Sequence, residues 1–537
     1  MGDHETVLAR LHAALHAADP WTALYLLHSG HPDGLAEAVE ELYRSDADRS
    51  ALRPYLSWFL RILDGPGEAV LRRLVAEPAY TVEERRDLLR AAVSRGLGLP
   101  AELLREIEAG SPDGPPAAEL VDAMGLSGDA SFAPYLGTLL ADPAAPRARA
   151  ALALGRLGAR EWTAPIATRL SEVKGLDHSA FVVALELMAD PAAVPHLLRW
   201  LSETVEARVY DVHHALVRLT GRDPLLPEMA RGATYAAAVR AAWADGGTER
   251  TPAVVRDLVV ESDARARFAV DGGAGRIRIA FDPPLPGATW PRWDRSLTFD
   301  EKPLYGVGSS CDTCELGLTL LGWPDDEAAR IAGRMRGSLA DLDRLDEALF
   351  ADWGALLGEL GTGHYRALLL DLPLERVTEP ARSWWYRRMA ARVEEDGEDA
   401  AYDDGRPGEH WPGTPHFQLT TPVPEGRVPA TYGALMPSQP PDALDAATVA
   451  RHAAAIAAGE RPAAVVLGWI DDRYVQAEHE ERWLVGTILD GHHRLTAYAD
   501  SGIPARVILL AGVGQGCGTD GGLEGLEELA AAYGRRD

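Results

Sequence analysis

Cysteine occurs three times in 537 residues, at Cys311, Cys314 and Cys517, and lysine only twice, at Lys174 and Lys302. Three thiols cannot frame a chain of this length with disulfides, so a reducing compartment is expected. With two lysines there is no Gly-Lys-Ser/Thr phosphate loop and no Val-Ala-Ile-Lys segment of a protein kinase. Neither lysine sits in a setting that suggests an imine-forming residue. Almost every cation is therefore arginine, a bias that fits a GC-rich genome and is weak evidence for guanidinium chemistry.

Long apolar runs are also missing. No stretch of about 18 apolar residues occurs, and Met1-Gly2-Asp3-His4-Glu5 has neither a basic nor an apolar leader region. A soluble, cytoplasmic protein without membrane contact is expected. Positive charge is in short supply too: 53 Lys and Arg stand against 81 Asp and Glu, a net charge of −28. Such a chain repels nucleic acid at long range. No Gly-x-Ser-x-Gly, His-Glu-x-x-His or Gly-x-Gly-x-x-Gly occurs in a supporting strand-to-helix context, so hydrolase and dehydrogenase readings have no anchor.

The length exceeds what one core supports, and the texture changes along it. Residues 1–245 are Ala-, Leu- and Arg-rich with helical spacing, as in Val7, Leu8, Leu11, Ala14 and Leu15. A self-similar unit recurs there at roughly 30 residues: Asp129 to Leu136, Arg160 to Ala167 and Asp190 to Leu197, each with a proline, at 134, 165 and 195. Residues 251–444 read as a mixed α/β region, with strands at Arg276–Phe281 and Tyr365–Asp371 and helical spacing from Asp325 to Leu360. Its end, Asp403 to Asp442, carries nine prolines and predicts an extended crossing segment or long loop. Tryptophans 290, 293, 323, 353, 384 and 385 suit a core or a partner groove.

Residues 445–512 predict a small α/β unit: helix Ala446–Ala458, strand Ala463–Gly468, a strand ending at Leu489, a glycine turn, a helix, and strand Ala505–Leu510. Residues 513–537 predict a glycine-rich tail with a short helix at Leu523–Tyr533. The turn, Asp490-Gly491-His492-His493-Arg494, joins an apolar strand to a helix start and is the strongest functional clue. Unpaired N–H donors at a helix N-terminus, two imidazoles and a guanidinium together suit a phosphate.

Two stretches resemble known families. The repeats between about Leu120 and Leu219 resemble HEAT-type helix pairs, in which proline opens the second helix; a plain helical bundle is the alternative. The order helix, Gly459-Glu460-Arg461-Pro462, strand, Ile488-Leu-Asp-Gly-His-His-Arg-Leu-Thr-Ala-Tyr498, Gly502-Ile503-Pro504 and strand is similar to the ParB/sulfiredoxin-like fold. That resemblance implies a nucleotide site, for CTP in ParB-type switches and for ATP or ADP in sulfiredoxin and free-serine kinases. Gly491 would let backbone approach the phosphates, and His492, His493 and Arg494 would contact them. Asp490 would orient a histidine or hold Mg²⁺, and Glu460 would act as a base if a hydroxyl is phosphorylated.

Two departures narrow the expectation. His492 stands where sulfiredoxin has its reactive cysteine, so sulfinic-acid repair is not expected. Asp445 to Leu510 holds six arginines (451, 461, 473, 482, 494 and 506), no lysine and nine acidic residues, which argues against clamping DNA. A paired histidine turn that only stabilises itself is the bland reading.

Other candidates are weaker. Cys311-Asp-Thr-Cys314 has the spacing of half a zinc site or of a redox pair at a helix start, although two ordinary thiols explain it as well and zinc is not expected. The acidic run Glu394 to Asp399 with Asp403 and Asp404 lacks calcium-loop order and reads as a solvated loop. The expectation is thus a helical-repeat scaffold for a protein partner, carrying a domain for a nucleotide with Mg²⁺ or a phosphorylated small molecule. Whether it is a kinase or nucleotidase stays open. The alternative is a non-enzymatic interaction scaffold with a degenerate C-terminal domain.

Overall fold

The computed structural model describes residues 2–18, 20–29, 32–45, 52–62, 65–110, 116–173, 177–205, 208–226, 235–244, 251–281, 295–299, 302–308, 317–320, 323, 339, 342–387, 390, 411–421, 430–476, 479–514 and 522–535. Cys311, Cys314 and Cys517, the acidic run, Trp290, Trp293 and residues 325–338 of the predicted helical stretch lie outside them. Among the described residues no helix is long and apolar enough to cross a membrane.

From Gly2 to Ala244 the chain is helical, and its buried apolar residues form one continuous core from Val7 to Trp243. Helices Arg53–Ile62, Val82–Ser94, Ala118–Leu126, Arg147–Arg156, Asp177–Met188 and Val209–Thr220 pack each on the next, giving an array of stacked helices. The self-similar unit is the start of the helix that follows each turn. A 3₁₀ turn, at Ala130–Phe132, Arg160–Trp162 and Pro191–Ala193, leads into helices Ala133–Ala141, Thr163–Arg169 and Val194–Glu203. Asp129 and Asp190 cap two of these turns, each carboxylate accepting the amide two residues on, at 2.9 and 3.0 Å. Pro134, Pro165 and Pro195 therefore fall within the first turn of the second helix rather than opening it, where a missing N–H still costs nothing.

Close stacking of the first helices depends on two glycines one repeat apart. A Cβ at Gly125 would stand 2.6 Å from Ala153 Cα, and one at Gly155 would stand 2.7 Å from Ala184 Cα.

Beyond the array the chain builds strands β1 (Val254–Ser262), β2 (Arg265–Asp271), β3 (Ile277–Phe281), β4 (Arg295–Phe299), β5 (Lys302–Gly308), β6 (Gly317–Leu320), β7 (Gly363–Leu372), β8 (Leu374–Val377), β9 (His416–Leu419), β10 (Ala430–Met436), β11 (Ala464–Gln476), β12 (His479–Asp490) and β13 (Ala505–Val513). Nine of them form a mixed sheet in the order β1-β2-β7-β13-β11-β12-β10-β9-β8, and β3 to β6 form a second, antiparallel sheet. Only β10 with β12 and β11 with β13 run parallel in the large sheet.

Two expectations change here. The stretches 251–444 and 445–512 do not make separate sheets, because β13 pairs with β7 from Ala505↔Leu372 to Val513↔His364. The proline-rich stretch is not only a crossing loop, since β9 and β10 lie in it and β10 runs beside β12 from Ala430↔Glu481 to Met436↔Thr487. Pro415 and Pro437 border these strands, where a missing N–H breaks no ladder bond.

Period-two alternation divides the large sheet between two cores. Leu368, Leu370, Val507, Leu509 and Ala511 face one side with Leu495, Tyr498 and Leu529 from helices His492–Ser501 and Leu523–Tyr533. Ala367, Leu369, Ile508 and Leu510 face the other with Leu297, Phe299, Tyr305, Trp353 and Trp385. Trp353 and Trp385 are thus core residues, Trp385 stacking on Trp483 at 4.9 Å between ring centres.

The array is tied to the sheet by backbone bonds and one tyrosine hydroxyl. Thr251 N donates to Thr220 O at 2.8 Å, Gly272 N to Gly221 O at 2.7 Å, and Tyr210 Oη to Gly514 O at 2.9 Å. Gly155→Ala is expected to force the Arg147–Arg156 and Asp177–Met188 helices apart and cost about 1–3 kcal/mol. Urea denaturation would read this as a lower midpoint with an unchanged m-value.

Candidate functional site

β11 and β12 form the central hairpin of the large sheet, and β12 ends at Asp490. Gly491 then turns the chain with φ 106°, in the left-handed region, and caps helix His492–Ser501. Two constraints require glycine there. Besides the positive φ, a Cβ would sit 2.7 Å from Ala464 Cβ and 2.9 Å from its Cα on β11. The first amides of the helix, on His492, His493 and Arg494, have no carbonyl within the helix to bond.

The three side chains expected to meet phosphate are brought to this turn, each already tied to a neighbour. His492 is buried, and its Nε2 accepts the Ser438 amide at 3.0 Å, pinning the end of β10, while Ser438 Oγ donates to Ile488 O at 2.5 Å. Burial, and then the charge of His493, push the His492 imidazole down to about 3, so it is a neutral acceptor at neutral pH. His493 Nε2 accepts the Asp445 amide at 3.0 Å. Asp445 caps helix Ala446–Ala457 through Thr448 N at 2.8 Å, so His493 holds that helix start against the turn.

Arg494 Nη2 donates to Asp490 Oδ2 at 2.9 Å, and its Nη1 donates to the carbonyl of Ala463. The Asp490–Arg494 pair therefore bridges the turn from strand to helix and to the start of β11. Glu460 is exposed in the turn made by Gly459, φ 102°, three residues before Ala463. No contact places its carboxylate against Asp490. Among the described residues no three His, Cys, Asp or Glu gather as a cation cluster, and Asp490 meets Arg494 rather than a second carboxylate.

His452, which the sequence reading passed over, belongs to the same neighbourhood. Burial first, then the charges of Arg494, Arg451 and His493, push its imidazole below the usual histidine range, and Asp490 pulls it back up. The available signal was its place four residues after Thr448 on the helix that Asp445 caps. Arg451 and Arg494 are the guanidiniums of this neighbourhood, while His452 is pushed toward its neutral form and His493 Nε2 accepts a hydrogen bond.

Comparison with family models, curated proteins and solved structures gives no match.

Beside His492 lies a small cleft lined mainly by Pro415, Phe417, Pro437, Pro440 and Pro441, together with Arg376 and Gln439. It reaches the buried side of the helix start, not the face that carries Arg494.

The buried His492 makes stability depend on pH. The unfolded chain takes up this proton near pH 6.5 and the folded chain only near pH 3, so the contribution is complete above about pH 6.5 and is lost as pH falls toward 3. His178 and His416, lowered by burial to about 3 and about 4, act in the same direction, while Asp211, raised by burial to about 6, opposes them. His492→Gln keeps an acceptor for Ser438 N and removes the titration. Its urea stability is expected to fall less steeply than the wild type's between pH 6 and pH 4, by about 1.4 kcal/mol per pH unit. Equal slopes in the two proteins would show that His492 is not held neutral.

Proposed function

We propose that this chain binds a nucleotide or another phosphate-bearing small ligand at the Gly491 turn, with the N-terminal helices serving as a HEAT-like scaffold for a protein partner. The observation that carries the reading is the left-handed Gly491 at the mouth of a helix whose first three amides lack helical acceptors, set among Arg451, His452, His493 and Arg494. An anion there gains N–H bonds and the helix dipole together, with the guanidiniums of Arg451 and Arg494 close by. The similarity of the strand, turn and helix order to ParB/sulfiredoxin-like domains supports the same reading.

The roles differ from a simple trio of phosphate contacts. His492 is a positioning residue, because its acceptor nitrogen is committed to Ser438 N. Contact falls to the His493 and Arg494 amides and to the Arg494 guanidinium, which can exchange Asp490 for phosphate. That exchange would release the Asp490 carboxylate toward a Mg²⁺ carried by the nucleotide. In an enzyme of this kind, a small-molecule kinase or nucleotidase, Glu460 is the carboxylate available as base, and the exposed Gly459 turn would have to carry it inward.

The second reading is an interaction scaffold whose C-terminal turn is structural. It is favoured by the fact that His492, His493 and Arg494 each already hold a partner. A thermal-shift panel of ATP, ADP, CTP and GTP with Mg²⁺ separates the two. Binding at about 100 times the dissociation constant contributes roughly 2.7 kcal/mol and raises Tm. Arg494→Ala is expected to abolish that rise, and a flat response to all four nucleotides would establish the scaffold reading instead.

A further inference from the structure

The cleft beside His492 is walled by three separate parts of the chain. Helix His492–Ser501 contributes His492 and Thr496, four residues apart and so on one face. Hairpin β8–β9 contributes Arg376 and Phe417, which are register partners and therefore stand on the same side of the sheet. The segment after β10 supplies Pro437, Gln439, Pro440 and Pro441.

Its acceptors are taken and its donors are not. Proline has no N–H to offer, and three proline carbonyls there already accept a bond: Pro437 O from Tyr305 Oη at 2.7 Å, Pro440 O from Ala443 N at 3.1 Å and Pro441 O from Leu444 N at 3.3 Å. The Thr496 hydroxyl donates to His492 O at 2.9 Å. Gln439 Nε2, by contrast, is shut off from solvent with no acceptor, a costly state for an amide unless a ligand or a water supplies one. Arg376 is half-buried, and among the described residues no carboxylate pairs with its guanidinium. Glu375, next to it in sequence, stands on the opposite face of β8, where it accepts from Arg382 Nη2 at 2.6 Å and from Gln418 Nε2 at 2.7 Å.

That imbalance selects a ligand chemistry. A guanidinium fork and one amide N–H match the two oxygens of a carboxylate. A phosphate would bring further oxygens against proline and phenylalanine walls that have no donor for them. The same walls suit a short hydrocarbon tail.

We propose that this cleft binds a small monocarboxylate with a short apolar tail, its oxygens held by Arg376 and Gln439 and its tail against the prolines and Phe417. The bound acid braces the start of helix His492–Ser501 from its buried side, and it is a site separate from the phosphate site proposed at the Gly491 turn.

The test uses the full chain, with formate, acetate, propionate, butyrate and inorganic phosphate titrated against chloride at equal ionic strength and the shift in Tm as the readout. The carboxylate shift is expected to saturate, and affinity to rise along the series by about fourfold for each CH₂ that reaches the apolar wall. Arg376→Gln should weaken the best binder about tenfold or more. Gln439→Glu keeps the side chain's shape and gives the cleft a carboxylate of its own, so it should remove the response. Arg494→Ala should leave the response intact, so this proposal and the nucleotide reading fail separately. No carboxylate outperforming chloride, a response that survives both cleft variants, or an affinity indifferent to tail length would overturn the proposal, and the tail series carries the test should neither variant fold. Inorganic phosphate outperforming every carboxylate, or a carboxylate response lost in Arg494→Ala, would assign the ligand to the Gly491 turn and overturn it equally.

Discussion

The ladder between β13 and β7 is the constraint on which the rest of the sheet depends. It runs unbroken from Ala505↔Leu372 to Val513↔His364 and places two Leu- and Val-rich strands side by side at the centre of a nine-stranded sheet. β13 is buried along its whole length, which only a strand covered on both faces tolerates. The two faces are closed by different partners: helices His492–Ser501 and Leu523–Tyr533 on one, and the second sheet with Trp353 and Trp385 on the other. Without this pairing, each half would present an open apolar edge to water.

The same ladder sets the Gly491 turn. β13 aligns β11 in parallel, β11 aligns β12, and the close approach of Gly491 to Ala464 follows from that register. Helix His492–Ser501 then starts where β12 ends, and its polar side chains are spent on holding neighbours: His492 the end of β10, His493 the cap of helix Ala446–Ala457, Arg494 the start of β11. The turn is therefore preorganised in its backbone, and what remains open to a ligand is amide donors and electrostatic field. In a chain of net charge −28, the Gly491 turn offers an anion bare backbone donors with two guanidiniums, Arg451 and Arg494, close by.

Local pattern carried a good part of this architecture. The helical half, helix Ala446–Ala457, β7, the core of β13 and helix Leu523–Tyr533 all follow from spacing of three and four or from short β-branched runs bounded by turns. β11 and β12 were seen only in their apolar parts, because the acidic stretch between Ile470 and Trp483 shows no apolar alternation, although the hairpin runs through it. β10 was hidden by the prolines around it, which mark turns regardless of what lies between them.

The sequence by itself determined the helical elements, a few of the strands and the glycine at 491, since periodicity, capping aspartates and a residue free to take positive φ act within a few positions along the chain. It also placed His492, His493 and Arg494 at one helix start. Only the tertiary structure decided that residues 251–444 and 445–512 share a sheet, that His492 is buried against Ser438, that His452 joins the turn, and that Arg218 and Arg278 share Glu186. Strand pairing and charge partnership join residues tens to hundreds of positions apart, and no local propensity specifies which distant strand or carboxylate completes the set.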